Sequence, residues 1–208
     1  MITFNPDIVD RFVGRAVSEF TIANLPPLNS EFPNVDSWIV AHFINNVTSQ
    51  VDGVKIPSFV RQLTVNLIRR SQACVNAYSD GREFTLKFLD TSPLSPNVSV
   101  YYSALFYWET LFLNLGIWSE TYNRLAKQSN LERFFEKNDS SREEQAYGIY
   151  CVIKHSTSQD EADLLPIWIN NEGFHGGQWT LSFVELADLV RDIANFSQEF
   201  IDIHPRRR

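Results

Sequence analysis

The stretch VSVYYSALFYWETLFLNLGIWSETYNRLAK, residues 98–127, decides the fold class of this chain of 208 residues. Drawn as a helix, it carries large apolar side chains on nearly every side, and a helix that is apolar on most sides is usually central in a fold. Its polar exceptions are Glu109 and Asn114, which we expect to be paired or hydrogen-bonded in the core. The stretch therefore predicts a helical protein built around one long central helix.

Apolar residues recur with the helical period of 3.6 along the rest of the chain, whereas the alternation typical of strands is hard to find. The other predicted helices run over residues 6–24, 35–50, 57–78 with a shorter continuation to 88, 140–155 and 182–201. Ser79-Asp80-Gly81 predicts a break or a kink after residue 78, and the many Pro and Gly residues between Ser156 and Trp179 predict a loop. This pattern predicts an all-α, multi-helix up-and-down bundle.

One domain over residues 1–208 is the simplest organisation, since the chain has no internal repeat, low-complexity segment or strong linker. Within it, we expect the helices of residues 6–90 to pack on a core formed by residues 97–201.

The composition excludes several classes of function. A formal net charge of -7 means that nucleic-acid binding needs a local basic patch, and the densest basic cluster, the terminal PRRR, is predicted to be a solvated tail. The two cysteines are too few for a disulfide framework or a thiolate metal site.

The chain has no Gly-rich phosphate loop, nucleophile elbow or Cys/His metal spacing, so we expect no metal and no cofactor. It also has no leader pattern and no apolar run of membrane length, which predicts a soluble cytoplasmic protein without membrane contact.

The stretch AYGIYCVIKH, residues 146–155, is the best candidate for a functional site. Ser140-Ser-Arg-Glu143 before it has the spacing of a capping box and predicts the start of a helix. The predicted faces of this helix are a core stripe of Ala146, Ile149, Tyr150 and Ile153 and an opposite stripe of Glu144, Gly148, Cys151 and His155. Gly and Cys are unusual on a solvated stripe and allow close approach, so we expect a neighbouring helix or a second subunit to cover it.

Lys154 and His155 stand at the predicted end of this helix and have two interpretations. Cationic side chains favour a helix C-terminus, where they meet the macrodipole and the last free carbonyl groups. Alternatively, a histidine at the rim of a seam is the usual general acid or base, and an adjacent cation can hold a phosphate.

Three motifs in the second half of the chain resemble the HEPN superfamily of small helical bundles. They are Tyr150-Cys-Val-Ile-Lys-His155, Leu165-Pro-Ile-Trp168 and Glu185-Leu-Ala-Asp-Leu189, and the resemblance covers about residues 100–201. It implies a helical bundle that commonly forms a homodimer, with a metal-independent RNase site at the dimer seam in the active members. That site pairs an arginine with a histidine four to six residues further along.

This chain matches the implied RNase site only in part. His155 corresponds to the histidine, but the nearest preceding arginine is Arg142, 13 residues back. Lys154 does not reproduce the bidentate grip of a guanidinium on a phosphate. We predict Glu144, Tyr150 and Cys151 as binding residues, and His155, Lys154 and Arg142 as the catalytic set if the chain is an enzyme.

Three functions follow from this partial match. The first is a non-catalytic HEPN-like module that binds RNA, a nucleotide or a protein partner at a seam near His155. The second is a metal-independent endoribonuclease that uses His155. The third is a helical domain that only binds other proteins. We expect a homodimer in each case.

A second candidate is Glu172-Gly-Phe-His175, which has the Glu-x-x-His spacing of di-iron helical bundles. Such a site needs the motif on a helix and a second copy elsewhere, and neither condition is predicted here. The aromatic and Gly-rich loop around it predicts a lid or contact surface, or a turn-rich connection whose aromatic residues pack on the bundle.

Overall fold

The computed structural model describes residues 20–48, 57–91, 96–129, 131–156 and 166–201. Its helices are α1 (Trp38–Thr48), α2 (Ser58–Leu89), α3 (Val98–Ser129), α4 (Arg142–His155) and α5 (Phe183–Ile201), and its strands are β1 (Trp168–Ile169), β2 (Phe174–Gly176) and β3 (Trp179–Leu181). The predicted helical class is confirmed, with a small sheet added to it. None of the helices in the described ranges has the length and apolar character needed to cross a membrane.

Some predictions fall outside the described residues. These are residues 6–19 of the first predicted helix, residues 157–165 of the predicted loop, and the terminal PRRR. Residues 20–24 are not helical. The segment that continues from them crosses α2 and α5: Tyr78 donates to the carbonyl of Pro26 at 2.8 Å, and Arg191 donates to the carboxylate of Glu31 at 2.7 Å.

The α3 helix is central, as its sequence predicts. Its largest fully buried side chains are Trp108, Trp118, Tyr101, Phe112, Leu105, Leu111 and Leu115. These side chains meet aromatic rings from both the sheet and the last helix: Trp108 and Phe112 contact Phe174 of β2, and Trp118 contacts Phe196 of α5. The core of the described chain is therefore organised around this one helix.

The two polar exceptions within α3 differ in their surroundings. Asn114 is buried, accepts a hydrogen bond from Arg70 at 2.7 Å and donates to the carbonyl of Thr110, as predicted. The prediction that Glu109 is paired is wrong for the described residues, because its half-buried side chain has no hydrogen-bond or ion-pair partner among them.

The predicted break of α2 after residue 78 is wrong, because the helix continues to Leu89. Gly81 lies within it at the point where the indole of Trp108 packs, and a Cβ there would lie 2.8 Å from the ring. The Trp108 indole also donates to Thr85, one turn further along, at 2.9 Å. Gly81 is thus a site of close helix packing and does not break the helix.

The prediction of an irregular loop up to Trp179 is also wrong. Residues 168–181 form a three-stranded antiparallel sheet in the order β1, β2, β3, in which Phe174 pairs with both Ile169 and Leu181. Gly173 and Gly177 adopt positive φ angles of 148° and 58° and form the turns between the strands. The glycines that suggested irregular structure are therefore turn residues of two tight hairpins.

Three helical glycines each pack beneath an aromatic ring from an element later in the chain. The pairs are Gly81 with Trp108 of α3, Gly116 of α3 with Tyr150 of α4, and Gly148 of α4 with Trp179 of β3. At the last two positions a methyl group would overlap the ring. Each pair brings two backbones closer than any larger residue would allow.

We predict that Gly116→Ala destabilises the protein. At an unconstrained helix position this substitution stabilises by about 1 kcal/mol, because alanine has the higher helix propensity. Here the added methyl group meets the Tyr150 ring, and overpacking of this kind costs about 1–3 kcal/mol. Urea unfolding measures the difference, with Gln128→Ala at an exposed position of α3 as the control. A stabilised Gly116→Ala variant would contradict the packing.

Candidate functional site

The α4 helix begins one residue later than its predicted capping box. Ser141 is the N-cap and accepts a hydrogen bond from the backbone N–H of Glu144 at 3.1 Å. The Glu144 carboxylate accepts from the backbone N–H groups of Asn138 and Ser140, which both have positive φ angles. Glu144, predicted as a binding residue, is buried and holds the turn that leads into the helix.

The second face of α4 is covered by the same chain at Gly148, whereas Cys151 is partly exposed and His155 is exposed. The indole of Trp179 from β3 packs on Gly148, and Gln145 accepts a hydrogen bond from the backbone N–H of Thr180 at 3.3 Å. The close approach predicted from Gly148 is therefore present. The covering element at this point is a strand of the small sheet and not a helix or a second subunit.

A single carboxylate oxygen organises the opposite side of α4, where it packs on α3. Oε1 of Glu120 accepts a hydrogen bond from the Tyr150 hydroxyl at 3.1 Å, and the Tyr147 hydroxyl lies 3.5 Å from it. The Lys154 ammonium lies 3.4 Å from the same oxygen and 5.1 Å from the centre of the Tyr150 ring. We call Glu120, Tyr147, Tyr150 and Lys154 the Glu120 cluster.

The tyrosine hydroxyls and the Lys154 ammonium of the Glu120 cluster, like the neighbouring Cys151 thiol, keep their protons at neutral pH. Burial, helped by Cys151 and the Glu120 carboxylate, raises the pKa of Tyr147 to about 12. Burial also raises the pKa of Tyr150 and of the Cys151 thiol. Hydrogen bonds to Tyr150 and Glu120 raise the pKa of Lys154. The cluster therefore has hydroxyl and ammonium donors, and the neighbouring Cys151 is a thiol and not a thiolate nucleophile.

The structure separates two of the predicted catalytic residues. Arg142 opens α4 and His155 closes it, so 13 residues of helix, about 20 Å, lie between them. The Arg142 guanidinium also forms ion pairs with Glu143 and Asp192. His155 is exposed at the helix end beside Lys154. Within one chain, only Lys154 and His155 of the predicted catalytic set are neighbours.

Sequence reasoning missed Glu120 and Tyr147. Tyr147, Tyr150 and Lys154 have the spacing i, i+3, i+7 of one helix face, which is a signal that the sequence does contain. Glu120 has no such signal, because its partners come from a helix more than 25 residues away.

The second predicted motif lines a separate cleft of about 360 Å³ between the sheet and the ends of α4 and α5. Glu172, His175, Gln145 and Glu185 are among its walls. No group of three His, Cys, Asp or Glu residues in the described ranges is arranged to hold a metal ion. The cleft contains none of the residues predicted on α4 as catalytic or binding.

The tautomer of His175 is fixed by its neighbour. Oδ1 of Asn170 accepts hydrogen bonds from the backbone N–H groups of Glu172 and Gly173, which identifies this atom as the amide oxygen. Nε2 of His175 lies 3.0 Å from that oxygen and must therefore donate to it. The imidazole stacks on Trp168 with ring centres 5.4 Å apart, and burial lowers its pKa.

The lowered pKa of His175 predicts a loss of stability in acid. The unfolded chain binds a proton near pH 6.5 that the folded imidazole binds only at lower pH, so the free energy of unfolding falls as the pH drops below about 6.5. His175→Gln keeps a donor for Asn170 but does not titrate. Denaturant unfolding between about pH 7.5 and 5.5 should show a smaller loss in this variant, and equal losses would contradict the assignment.

Comparison with known proteins finds no match for this chain among protein-family models, curated proteins or solved structures.

Proposed function

We propose that this chain is a non-catalytic, HEPN-like protein-interaction module that binds its partner through the outer face of α3 and the end of α4 near His155. The observation that carries the proposal is an apolar stripe on α3, which we call the α3 stripe and define as Tyr102, Phe106 and Leu113. Their exposed fractions are 39%, 63% and 36%, on the helix that is otherwise the most buried in the fold. Exposed, aligned apolar residues of this size mark interaction sites.

The α3 stripe continues directly into the Glu120 cluster. Phe106, Leu113 and Glu120 are seven residues apart in turn, which places them along one side of the helix. At its end, the exposed Lys154 ammonium adds hydrogen-bond donors to the apolar surface. An apolar centre with aromatic residues and a polar margin is the usual composition of a protein–protein interface.

A protein partner is favoured over RNA by the charges of this surface. The Lys154 ammonium lies over the Tyr150 ring, and the Glu120 carboxylate beside it offsets its charge. RNA binding depends on uncompensated basic groups that neutralise phosphates, and the chain as a whole carries a formal charge of -7.

The endoribonuclease alternative has less support within a single chain. It needs a guanidinium beside His155 to grip the phosphate through two donors, and Arg142 lies at the far end of α4 in ion pairs with Glu143 and Asp192. Lys154 is beside His155, but it is a single point charge that is already paired with Glu120. The HEPN-like fold, the homodimer and the cytoplasmic location stay predictions from the sequence.

We predict that the purified protein neither cleaves RNA nor binds it. Mixed RNA incubated with the wild type and chelator should stay intact, and a fluorescent single-stranded RNA should show no anisotropy change up to about 100 µM protein at low salt, where phosphate contacts are strongest. Cleavage that is lost in His155→Ala would revive the enzyme, and saturable RNA binding would overturn the choice of a protein partner.

We also predict that a photo-crosslinking residue at position 106 captures a protein partner. The residue p-benzoylphenylalanine replaces Phe106, and its matched control replaces Val184, which is 40% exposed on α5. In an extract of the source cells, position 106 should give discrete adducts that protease removes and nuclease leaves intact. Adducts of equal yield from both positions, or none from position 106, would contradict the proposed surface.

A further inference from the structure

The cleft beside the sheet, which we call the sheet cleft, has a volume of about 360 Å³, within the range of about 300–1,000 Å³ that is usual for small-ligand sites. Its charged walls are Glu172 and Glu185, and no lysine or arginine is among the described residues that line it. The charge of Arg142 reaches Glu185, but its guanidinium is already paired with Glu143 and Asp192. The sheet cleft therefore carries net negative charge and favours a cationic ligand.

His175 supplies the sheet cleft with a hydrogen-bond acceptor on a ring that is held in place. Its Nε2 donates to Asn170, so the neutral ring has its lone pair on Nδ1, which has no hydrogen-bond partner among the residues that the structure describes. Stacking on Trp168 and the position of His175 in β2 fix the ring. Because burial lowers the pKa of the imidazole, Nδ1 remains an acceptor at neutral pH.

The two glutamates differ in how much of their acceptor capacity is used. Oε2 of Glu185 accepts from the backbone N–H and the hydroxyl of Ser182 at 3.0 and 2.6 Å, and these hydrogen bonds lower the pKa of Glu185. The Glu172 carboxylate has neither a hydrogen-bond nor an ion-pair partner within the described ranges, although its charge acts on His175. A charge-assisted donor therefore gains most at Glu172, beside the imidazole.

This set of acceptors fits an alkylammonium group better than a metal ion or a guanidinium. Protein metal sites usually need three or more side-chain ligands, and no group of three in the described chain is arranged to hold an ion. A guanidinium gains most from two parallel bonds to one carboxylate. An ammonium has three donors that reach separate acceptors, and here an imidazole nitrogen and a carboxylate stand three residues apart on one hairpin.

We propose that the sheet cleft binds a primary ammonium group, which donates to Nδ1 of His175 and to the Glu172 carboxylate. Gln145 accepts from the backbone N–H of Thr180 through its oxygen, so its amide N–H donors suit an oxygen atom elsewhere on the ligand. The ammonium belongs either to a small free amine or to a lysine side chain of a peptide. This inference is independent of the proposed interaction surface, because the sheet cleft shares no residue with the α3 stripe.

Titration of the isotope-labelled, full-length protein with n-butylammonium chloride tests the site. At constant ionic strength and about pH 7.5, amide NMR spectra should show saturable shifts confined to the residues around the sheet cleft, with a Kd of about 1–10 mM. Tetramethylammonium chloride has the same charge and the same number of non-hydrogen atoms but no N–H donor. It should bind at least about tenfold more weakly.

Two variants and a matched control assign the contacts. Glu172→Gln, at an exposed turn position, should weaken binding at least about fivefold, whereas Glu199→Gln removes the same charge from an exposed position of α5 outside the cleft and should leave binding unchanged. His175→Phe keeps an aromatic ring on Trp168 and removes Nδ1, so it should weaken binding at least about tenfold. If His175→Phe unfolds, Glu172→Gln still decides the result.

A lysine peptide separates the two sources of the ammonium group. Tighter binding of acetyl-Gly-Lys-Gly-amide than of n-butylammonium assigns the site to a lysine side chain, and the reverse order assigns it to a free amine. No saturation with either probe up to about 50 mM, equal binding of tetramethylammonium, or unchanged binding by Glu172→Gln overturns the site. None of these results bears on the capture of a protein partner from position 106.

Discussion

The fold depends on aromatic rings that pack directly on helical glycines. Trp108, Tyr150 and Trp179 each take the space that a Cβ would fill on an earlier helix, so the same kind of contact joins α2 to α3, α3 to α4 and α4 to β3. A ring on a bare helix backbone allows close approach and buries a large apolar area. The glycines lower helix propensity by about 1 kcal/mol each, and the packing that they permit offsets this cost.

The same contact positions the candidate site. The Tyr150 ring lies on Gly116, and its hydroxyl therefore reaches Glu120 one turn further along α3. Lys154, one turn after Tyr150, is placed over that ring and beside the same carboxylate. Tyr150 is thus both a core residue and a member of the Glu120 cluster. Its ring belongs to the buried stripe of α4, as the helical projection predicts, and its hydroxyl donates to the Glu120 carboxylate.

The sequence predicts what depends on long periodic patterns. The length of α3 and its apolar residues on every side identified the central helix, and the Gly148 anomaly on α4 indicated a covered second face. Contacts between distant residues are not readable in this way. Gly81 suggested a break because the Trp108 ring that stabilises it lies 27 residues away, and strands of two or three residues are too short to show alternation. Glu120 could not be predicted for the same reason, because no sequence pattern near it indicates a contact with the tyrosines of α4.

The α3 stripe follows from the geometry of a helix that is apolar all round. Such a helix needs neighbours on every side, and in the described residues α2 covers one side, α4 another, and Phe174 and Phe196 from β2 and α5 a third. The remaining side carries Phe106 and Leu113 and is exposed. Exposing this side to water costs about 25 cal/mol of free energy per Å² of apolar surface. A partner that buries it would gain the same free energy on binding. The composition that makes α3 central in the chain therefore also leaves apolar side chains on its outer side, which is the surface that we propose a partner covers.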